Sequence, residues 1–118
     1  VYWSGPKDRL KHYSKLLELS YQAAKSANPN AFVLNGGLAQ PVIEDTKNLY
    51  ENGAKNFMDA LSIHPFMDPL SPHPQKEFDE MIVAVKNIMS TYGDSEKKIW
   101  ITEMGCPGAE PWFRQDIG

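Results

Sequence analysis

The sequence predicts an α/β fold in which parallel strands alternate with amphipathic helices. Three stretches with helical periodicity are interleaved with three short apolar stretches, in the order helix, strand, helix, strand, helix, strand. Strands that are separated by helices pair in parallel through right-handed crossovers. The strand candidates are nearly continuous in apolar residues, as expected when both faces of a sheet are covered.

The three predicted helices span residues 6–27, 41–52 and 75–92. Pro6 suits the first position of the first helix, and Gly53 stands where a left-handed cap would end the second. The third helix places its apolar side chains at intervals of three and four, which predicts one buried face. That face consists of Phe78, Met81, Ile82, Val85, Ile88 and Met89.

The three predicted strands, 31–35, 57–64 and 98–103, are short and end at glycine or proline. The repeating strand and helix spacing is that of a (β/α) barrel. Three strands do not close such a barrel, which takes eight strands and about 250 residues. The spacing therefore predicts either a small open sheet or a segment of a larger barrel.

Residues suited to a site follow each predicted strand, namely the pair Gly36 and Gly37, then His64, then Glu103. The carboxyl ends of parallel strands lie at one edge of a sheet, so we expect these residues to share a rim. An imidazole and a carboxylate beside two glycines favour a functional site with a catalytic Glu103. The alternative is that Glu103 only ends a strand or caps the segment that follows.

Composition excludes several classes of function. The chain has 118 residues, of which 42% are hydrophobic and 23% charged, so it is one domain or part of a larger one. A net charge of −3 provides no basic surface for nucleic acid. No apolar run reaches the roughly 18 residues that cross a membrane. The chain begins at Val1 rather than Met, so a leader is not excluded, and the single Cys106 forms no internal disulfide.

No metal or cofactor site is predicted. His12, His73 and Cys106 show none of the spacings of paired metal ligands. Cys106 has no histidine nearby in sequence to activate it, which favours an inert thiol. Asp59 lies early in its predicted strand, far from the rim, so we expect it to be structural.

The most specific motif in the chain is Trp100-Ile101-Thr102-Glu103-Met104-Gly105. Three supporting motifs precede it, Ala27-Asn28-Pro29-Asn30-Ala31, Gly36-Gly37 and Ser62-Ile63-His64-Pro65-Phe66. Together they resemble the retaining glycoside hydrolases of clan A, which are (β/α)8 barrels, and above all their β-xylosidase-like and cellulase-like branches. The resemblance covers roughly residues 3 to 107 in the right order.

The resemblance implies that this chain is a TIM-barrel segment with strands five to seven, and that Glu103 ends the seventh strand as the catalytic nucleophile. The acid/base glutamate of the family ends the fourth strand and would lie upstream of Val1. The implied activity is retaining hydrolysis of O-glycosidic bonds in β-linked oligo- or polysaccharides. Without the second carboxyl group, the segment alone is expected to be inactive.

The resemblance also implies a substrate-binding set and a set of partners. The residues expected to bind substrate are His64, Phe66, Gly37, Trp3 and Trp112, although aromatic residues such as the two tryptophans are more often core residues than sugar platforms. Many relatives carry a tyrosine at the position of Phe66, and its hydroxyl orients the nucleophile. In this chain either His64 or a residue outside the chain must take that role, or the site is altered. The expected partners are a carbohydrate substrate and the missing part of the barrel or a second copy, with no nucleic acid, membrane, cofactor or metal. A secreted or periplasmic location is favoured by the resemblance alone.

Two rival functions remain open at this point. The chain could be a carbohydrate-binding remnant that performs no chemistry. It could also be a stand-alone small α/β domain in which Glu103 is structural.

Overall fold

The computed structural model describes residues 8–68 and 70–105. Within them the elements are α1 (Arg9–Ala27), α2 (Val42–Glu51), a 3₁₀ helix (Ala54–Phe57), β1 (Leu61–Ile63), α3 (Pro74–Thr91) and β2 (Ile99–Ile101). Helices are combined with parallel strands, so the predicted α/β fold is confirmed.

The sheet is built around β1, which is paired on both of its edges. β2 lies parallel to it, with Leu61 opposite Ile99, Ser62 opposite Trp100 and Ile63 opposite Ile101. On the other edge, parallel bridges join Leu34 to Ala60 and Leu38 to Ile63. The order in space is therefore segment 34–38, then β1, then β2.

The segment 31–35, expected to be a strand, makes only one isolated bridge, at Leu34. The ladder is interrupted because the Asn35 side chain takes the place of a neighbouring backbone. Its Oδ1 accepts from the Ser62 N–H at 2.6 Å, and its Nδ2 donates to the Ser62 carbonyl at 3.0 Å. The Asn35 amide and the Leu38 backbone, whose N–H donates to the same Ser62 carbonyl at 3.1 Å, thus satisfy this edge of β1 without a continuous strand.

The other predicted strands are shorter in the structure than in the sequence analysis. The stretch expected as strand 57–64 is a strand only over Leu61–Ile63; Phe57 ends the 3₁₀ helix Ala54–Phe57, and Ala60 makes only an isolated bridge with Leu34. The stretch expected as strand 98–103 is a strand only over Ile99–Ile101. The partner of β2 is β1, and Pro65, which comes shortly after β1, has no N–H with which to extend the ladder.

The helices begin and end close to the expected positions. The first helix is described from Arg9, and residues 6 and 7 of the predicted range lie outside the described residues. The second begins at Val42, after Pro41, and the third begins at Pro74. Gly53 adopts the left-handed conformation, with φ of 79°, at the end of the second helix as expected.

The core lies between the helices and one face of the sheet. Its buried side chains include Val42, Leu49, Leu61, Ile63, Met81, Val85 and Met89, so the apolar face predicted for α3 is confirmed. The prediction that the strands are covered on both faces holds for β1 but is wrong for β2. Trp100 of β2 is 45% exposed and stacks on Phe32, 58% exposed, with the ring centroids 5.5 Å apart.

None of the described helices is long and apolar enough to cross a membrane.

Candidate active site

Glu103 and His64 meet at the carboxyl edge of the sheet. His64 directly follows β1, and Glu103 comes two residues after β2. Nδ1 of His64 lies 3.4 Å from Oε2 of Glu103. The Glu103 side chain is 59% exposed, whereas the His64 side chain is only 14% exposed. The Glu103 carboxylate is therefore accessible to a ligand, and the His64 imidazole beside it is mostly covered.

Two hydroxyl groups extend this pair into the sheet. Nε2 of His64 lies 2.9 Å from Oγ1 of Thr102, and that oxygen lies 2.6 Å from Oγ of Ser62. Sequence reasoning missed both hydroxyl residues. The sequence carries a signal only for Ser62, which lies two residues before His64 and therefore shares its strand face. Thr102 comes beside them through the register of β1 and β2, which the sequence does not show.

Gly37 lies directly against the His64 ring. A Cβ atom built on Gly37 would stand 1.8 Å from Nε2 of His64, closer than any side chain permits. The close approach of ring and backbone is therefore possible only with glycine at position 37. The neighbouring Gly36 donates its N–H to the Tyr13 hydroxyl at 2.6 Å. Burial raises the pKa of that hydroxyl, and the Gly36 N–H opposes the shift.

Phe66 lies on the same rim, beside the segment that follows Glu103. It forms a parallel bridge with Gly105, where a Cβ atom would stand 3.0 Å from the Phe66 ring. Gln40 donates from Nε2 to the Phe66 carbonyl at 3.2 Å. The Phe66 side chain is partly exposed and offers a ring face, but it has no hydroxyl group with which to orient Glu103.

Asp59 has the structural surroundings expected of it. Its carboxylate accepts from Lys25 at 2.8 Å, from the Val33 N–H at 2.7 Å and from Tyr21 at 3.3 Å. Burial raises the pKa of Asp59, but the Lys25 and Val33 donors outweigh it, so the net shift is downward. The hydrogen bond from Lys25 to Asp59 in turn raises the pKa of Lys25.

The remaining candidate residues lie on other segments or outside the described part of the chain. His12 is exposed on α1, 3.1 Å from Asp8. His73 immediately precedes α3. Trp3, Trp112 and Cys106 lie outside residues 8–68 and 70–105. Within those ranges, no group of three histidine, cysteine or acidic side chains could hold a metal ion.

A family model described as glycosyl hydrolase catalytic core matches residues 5–115, a range that includes His64, Thr102 and Glu103. No curated protein and no solved structure matches the chain. The combination of helices and parallel strands is consistent with a segment of a TIM barrel.

Proposed function

Because the chain belongs to the glycosyl hydrolase catalytic core family, whose members act on carbohydrate, we propose that Glu103 is the nucleophile of a retaining glycoside hydrolase. The proposed substrates are β-linked oligo- or polysaccharides. The observation that supports the role of Glu103 is its contact with His64 at the carboxyl edge of the sheet, 3.4 Å from Nδ1 to Oε2. Catalytic side chains of barrel enzymes lie at that edge.

In the proposed reaction, ionised Glu103 attacks the anomeric carbon and forms a glycosyl ester as the bond to the leaving oxygen breaks. A second carboxyl group, about 5–5.5 Å away, gives its proton to that oxygen. The same group then takes a proton from water, which attacks the ester and frees Glu103 with net retention. We propose that this second group belongs to the protein upstream of Val1.

The exposures of the two side chains suit these roles. A nucleophile must be reachable, and more than half of the Glu103 side chain is open to solvent. The His64 ring, which is mostly covered, can donate a hydrogen bond from Nδ1 toward the carboxylate and hold its orientation. Their distance of 3.4 Å exceeds that of a strong charge-assisted hydrogen bond. Such contacts often tighten only when substrate excludes water from the site.

Sugar binding is proposed for residues around the same rim. The open face of the Phe66 ring offers a stacking surface, and Trp3 and Trp112 are proposed as further platforms. Gly37 lies against His64, so its backbone is proposed to line the floor of the subsite that holds the reacting sugar.

The first test is substitution of Glu103 in the full-length protein. Glu103→Gln removes the nucleophilic oxygen but keeps the size and polarity of the side chain. We expect kcat to fall by a factor of about 10⁴ or more, with sugar affinity retained. The matched control is Glu80→Gln on the outer face of α3, 65% exposed, which should leave kcat unchanged.

A binding-only protein is the second candidate, and the phenylalanine at position 66 favours it because no hydroxyl is available there to orient Glu103. On that account the unsubstituted protein binds sugar and shows no turnover. Turnover that Glu103→Gln abolishes while binding persists would exclude this candidate.

A further inference from the structure

The His64 ring is held by a chain of polar groups that begins inside the sheet. Ser62 is buried, and its backbone N–H and carbonyl are both bonded to the buried Asn35 side chain. Its Oγ meets Oγ1 of Thr102 at 2.6 Å, and Thr102 meets Nε2 of His64 at 2.9 Å. Nδ1 of the same ring faces Glu103. Ser62, Thr102, His64 and Glu103 thus form one continuous series of contacts, anchored at Asn35.

The carboxylate at one end of this series favours one direction for its protons. An ionised carboxylate only accepts, so a hydrogen bond between Glu103 and the ring requires the proton on Nδ1. In a neutral ring the other nitrogen, Nε2, is then an acceptor and needs a donor. Thr102 is the hydroxyl within reach of Nε2, at 2.9 Å. Having donated its one proton to His64, Thr102 must accept from Ser62.

We propose that Thr102 is a positioning residue, whose hydroxyl holds the neutral His64 ring in the tautomer that carries its proton on Nδ1, next to Glu103. This inference rests on the proposed function, in which Glu103 is the nucleophile. Thr102 acts through His64 and does not itself contact the reacting sugar. The buried Ser62 orients the Thr102 hydroxyl, so the rigid interior of the sheet is connected to the catalytic carboxylate.

The rival explanation is that Thr102 is an ordinary β-branched residue at a strand end, chosen for the sheet alone. Its removal would then lower stability without altering the tautomer of His64 or the rate of the folded enzyme. Valine keeps the shape of threonine and lacks the hydroxyl, whereas serine keeps the hydroxyl and lacks the methyl group. Thr102→Val and Thr102→Ser therefore separate the two explanations.

The direct test is the tautomer of His64, measured by two-bond ¹H–¹⁵N correlation on the full-length protein labelled with ¹⁵N-histidine. Spectra are recorded at a pH at which the ring is neutral, and His64→Gln assigns the signals. We expect Nδ1–H alone in the unsubstituted protein and in Thr102→Ser, and a mixture of tautomers in Thr102→Val. A mixture in the unsubstituted protein, or Nδ1–H alone in Thr102→Val, would overturn the proposal. If Thr102→Val does not fold, Thr102→Ala removes the same hydroxyl, and the same two outcomes apply.

Kinetics on the same variants gives the second readout. Loss of one hydrogen bond that aligns the catalytic pair is expected to lower kcat about tenfold in Thr102→Val, with KM unchanged. Thr102→Ser should recover most of that loss. A change in KM alone, or no recovery by serine, would contradict a positioning role.

The inference and the proposed function fail separately. If Glu103→Gln retains turnover, the nucleophile assignment is wrong, whatever the tautomer of His64. If Glu103→Gln abolishes turnover but Thr102→Val leaves both tautomer and kcat unchanged, only the role of Thr102 is wrong.

Discussion

At the scale of single residues, the candidate site depends on one missing Cβ atom. The His64 ring occupies the space that any side chain at position 37 would need, since a Cβ there would stand 1.8 Å from Nε2. The same ring is only 14% exposed, so it has little freedom to retreat. Gly37 and His64 are therefore one structural unit, and the ring keeps its place only because position 37 is glycine.

Gly37→Ala is expected to displace the His64 ring and lower kcat about 100-fold, since a shift of about 1 Å at a catalytic group has that order of effect. Steady-state kinetics of the full-length variant measures it. The control is Gly36→Ala, whose Cβ would lie 3.2 Å from the end of the flexible Tyr13 side chain and needs only a small adjustment. Equal kcat values for the two variants would refute this account of Gly37.

The strand-end position made Glu103 and His64 predictable from the sequence, because parallel strands bring their carboxyl ends to one edge. Thr102 and Ser62 were not predictable in the same way. A hydroxyl residue within a strand is ordinary, and its partner becomes visible only when the register places Thr102 beside His64. The need for glycine at position 37 could not be predicted either, because the packing of the His64 ring on the Gly37 backbone has no signature in the sequence around either residue.

At the scale of elements, side chains make hydrogen bonds to the backbone that neighbouring strands were expected to make. The Asn35 side chain takes the place of ladder hydrogen bonds along β1. The Asp59 carboxylate connects α1, through Lys25, to the backbone of Val33. Sequence periodicity identified the three helices because each has a long apolar face. It failed for segment 31–35 and for the 3₁₀ helix Ala54–Phe57, where single side chains and a tight turn decide the backbone path.

Asn35→Ala should lower the free energy of unfolding by about 2 kcal/mol, because it leaves the buried N–H of Ser62 without its partner and the Ser62 carbonyl with the Leu38 N–H alone. Urea denaturation of the full-length protein measures the change. Asn87→Ala on the exposed side of α3 serves as the control and should stay within about 0.5 kcal/mol. If Asn35→Ala also changed the free energy of unfolding by no more than about 0.5 kcal/mol, the hydrogen bonds between Asn35 and Ser62 would be unimportant for stability.

Acid stability should depend on Asp59. Its pKa is lower in the folded state than in the unfolded chain, so its stabilising effect is present above the ordinary value of about 3.9. The effect is lost as the pH falls below that value and through the folded pKa. Asp59→Asn should therefore flatten the fall in unfolding free energy below about pH 4, whereas Asp79→Asn on α3 should leave it in place. A fall as steep in Asp59→Asn as in the unsubstituted protein would contradict the assignment.

At the scale of the whole molecule, the described sheet has exposed apolar surface against which another part of the protein could pack. Phe32 and Trp100 form an exposed aromatic pair on one face, and Ile101 of β2 is 42% exposed. Open strand edges and apolar surface favour association with other chains. We propose that the remainder of a barrel covers this face. The expectation from the sequence that the chain is a barrel segment is consistent with the family match.

Residues 1–118 expressed alone are expected to self-associate, and sedimentation velocity over a range of concentrations measures this. Ile101→Lys, which places a charge on the exposed strand, should weaken the association. A concentration-independent monomer with a cooperative thermal transition would argue against the barrel-segment interpretation.

The central claim, that Glu103 is a retaining nucleophile, is tested most directly by trapping its glycosyl ester. A 2-fluoro-glycoside with a good leaving group is incubated with the full-length protein, and the labelled peptide is sequenced by mass spectrometry. We predict one added sugar per chain, on Glu103, with loss of activity in proportion to labelling. A label on any other residue, or none while the enzyme turns over ordinary substrate, would contradict the claim.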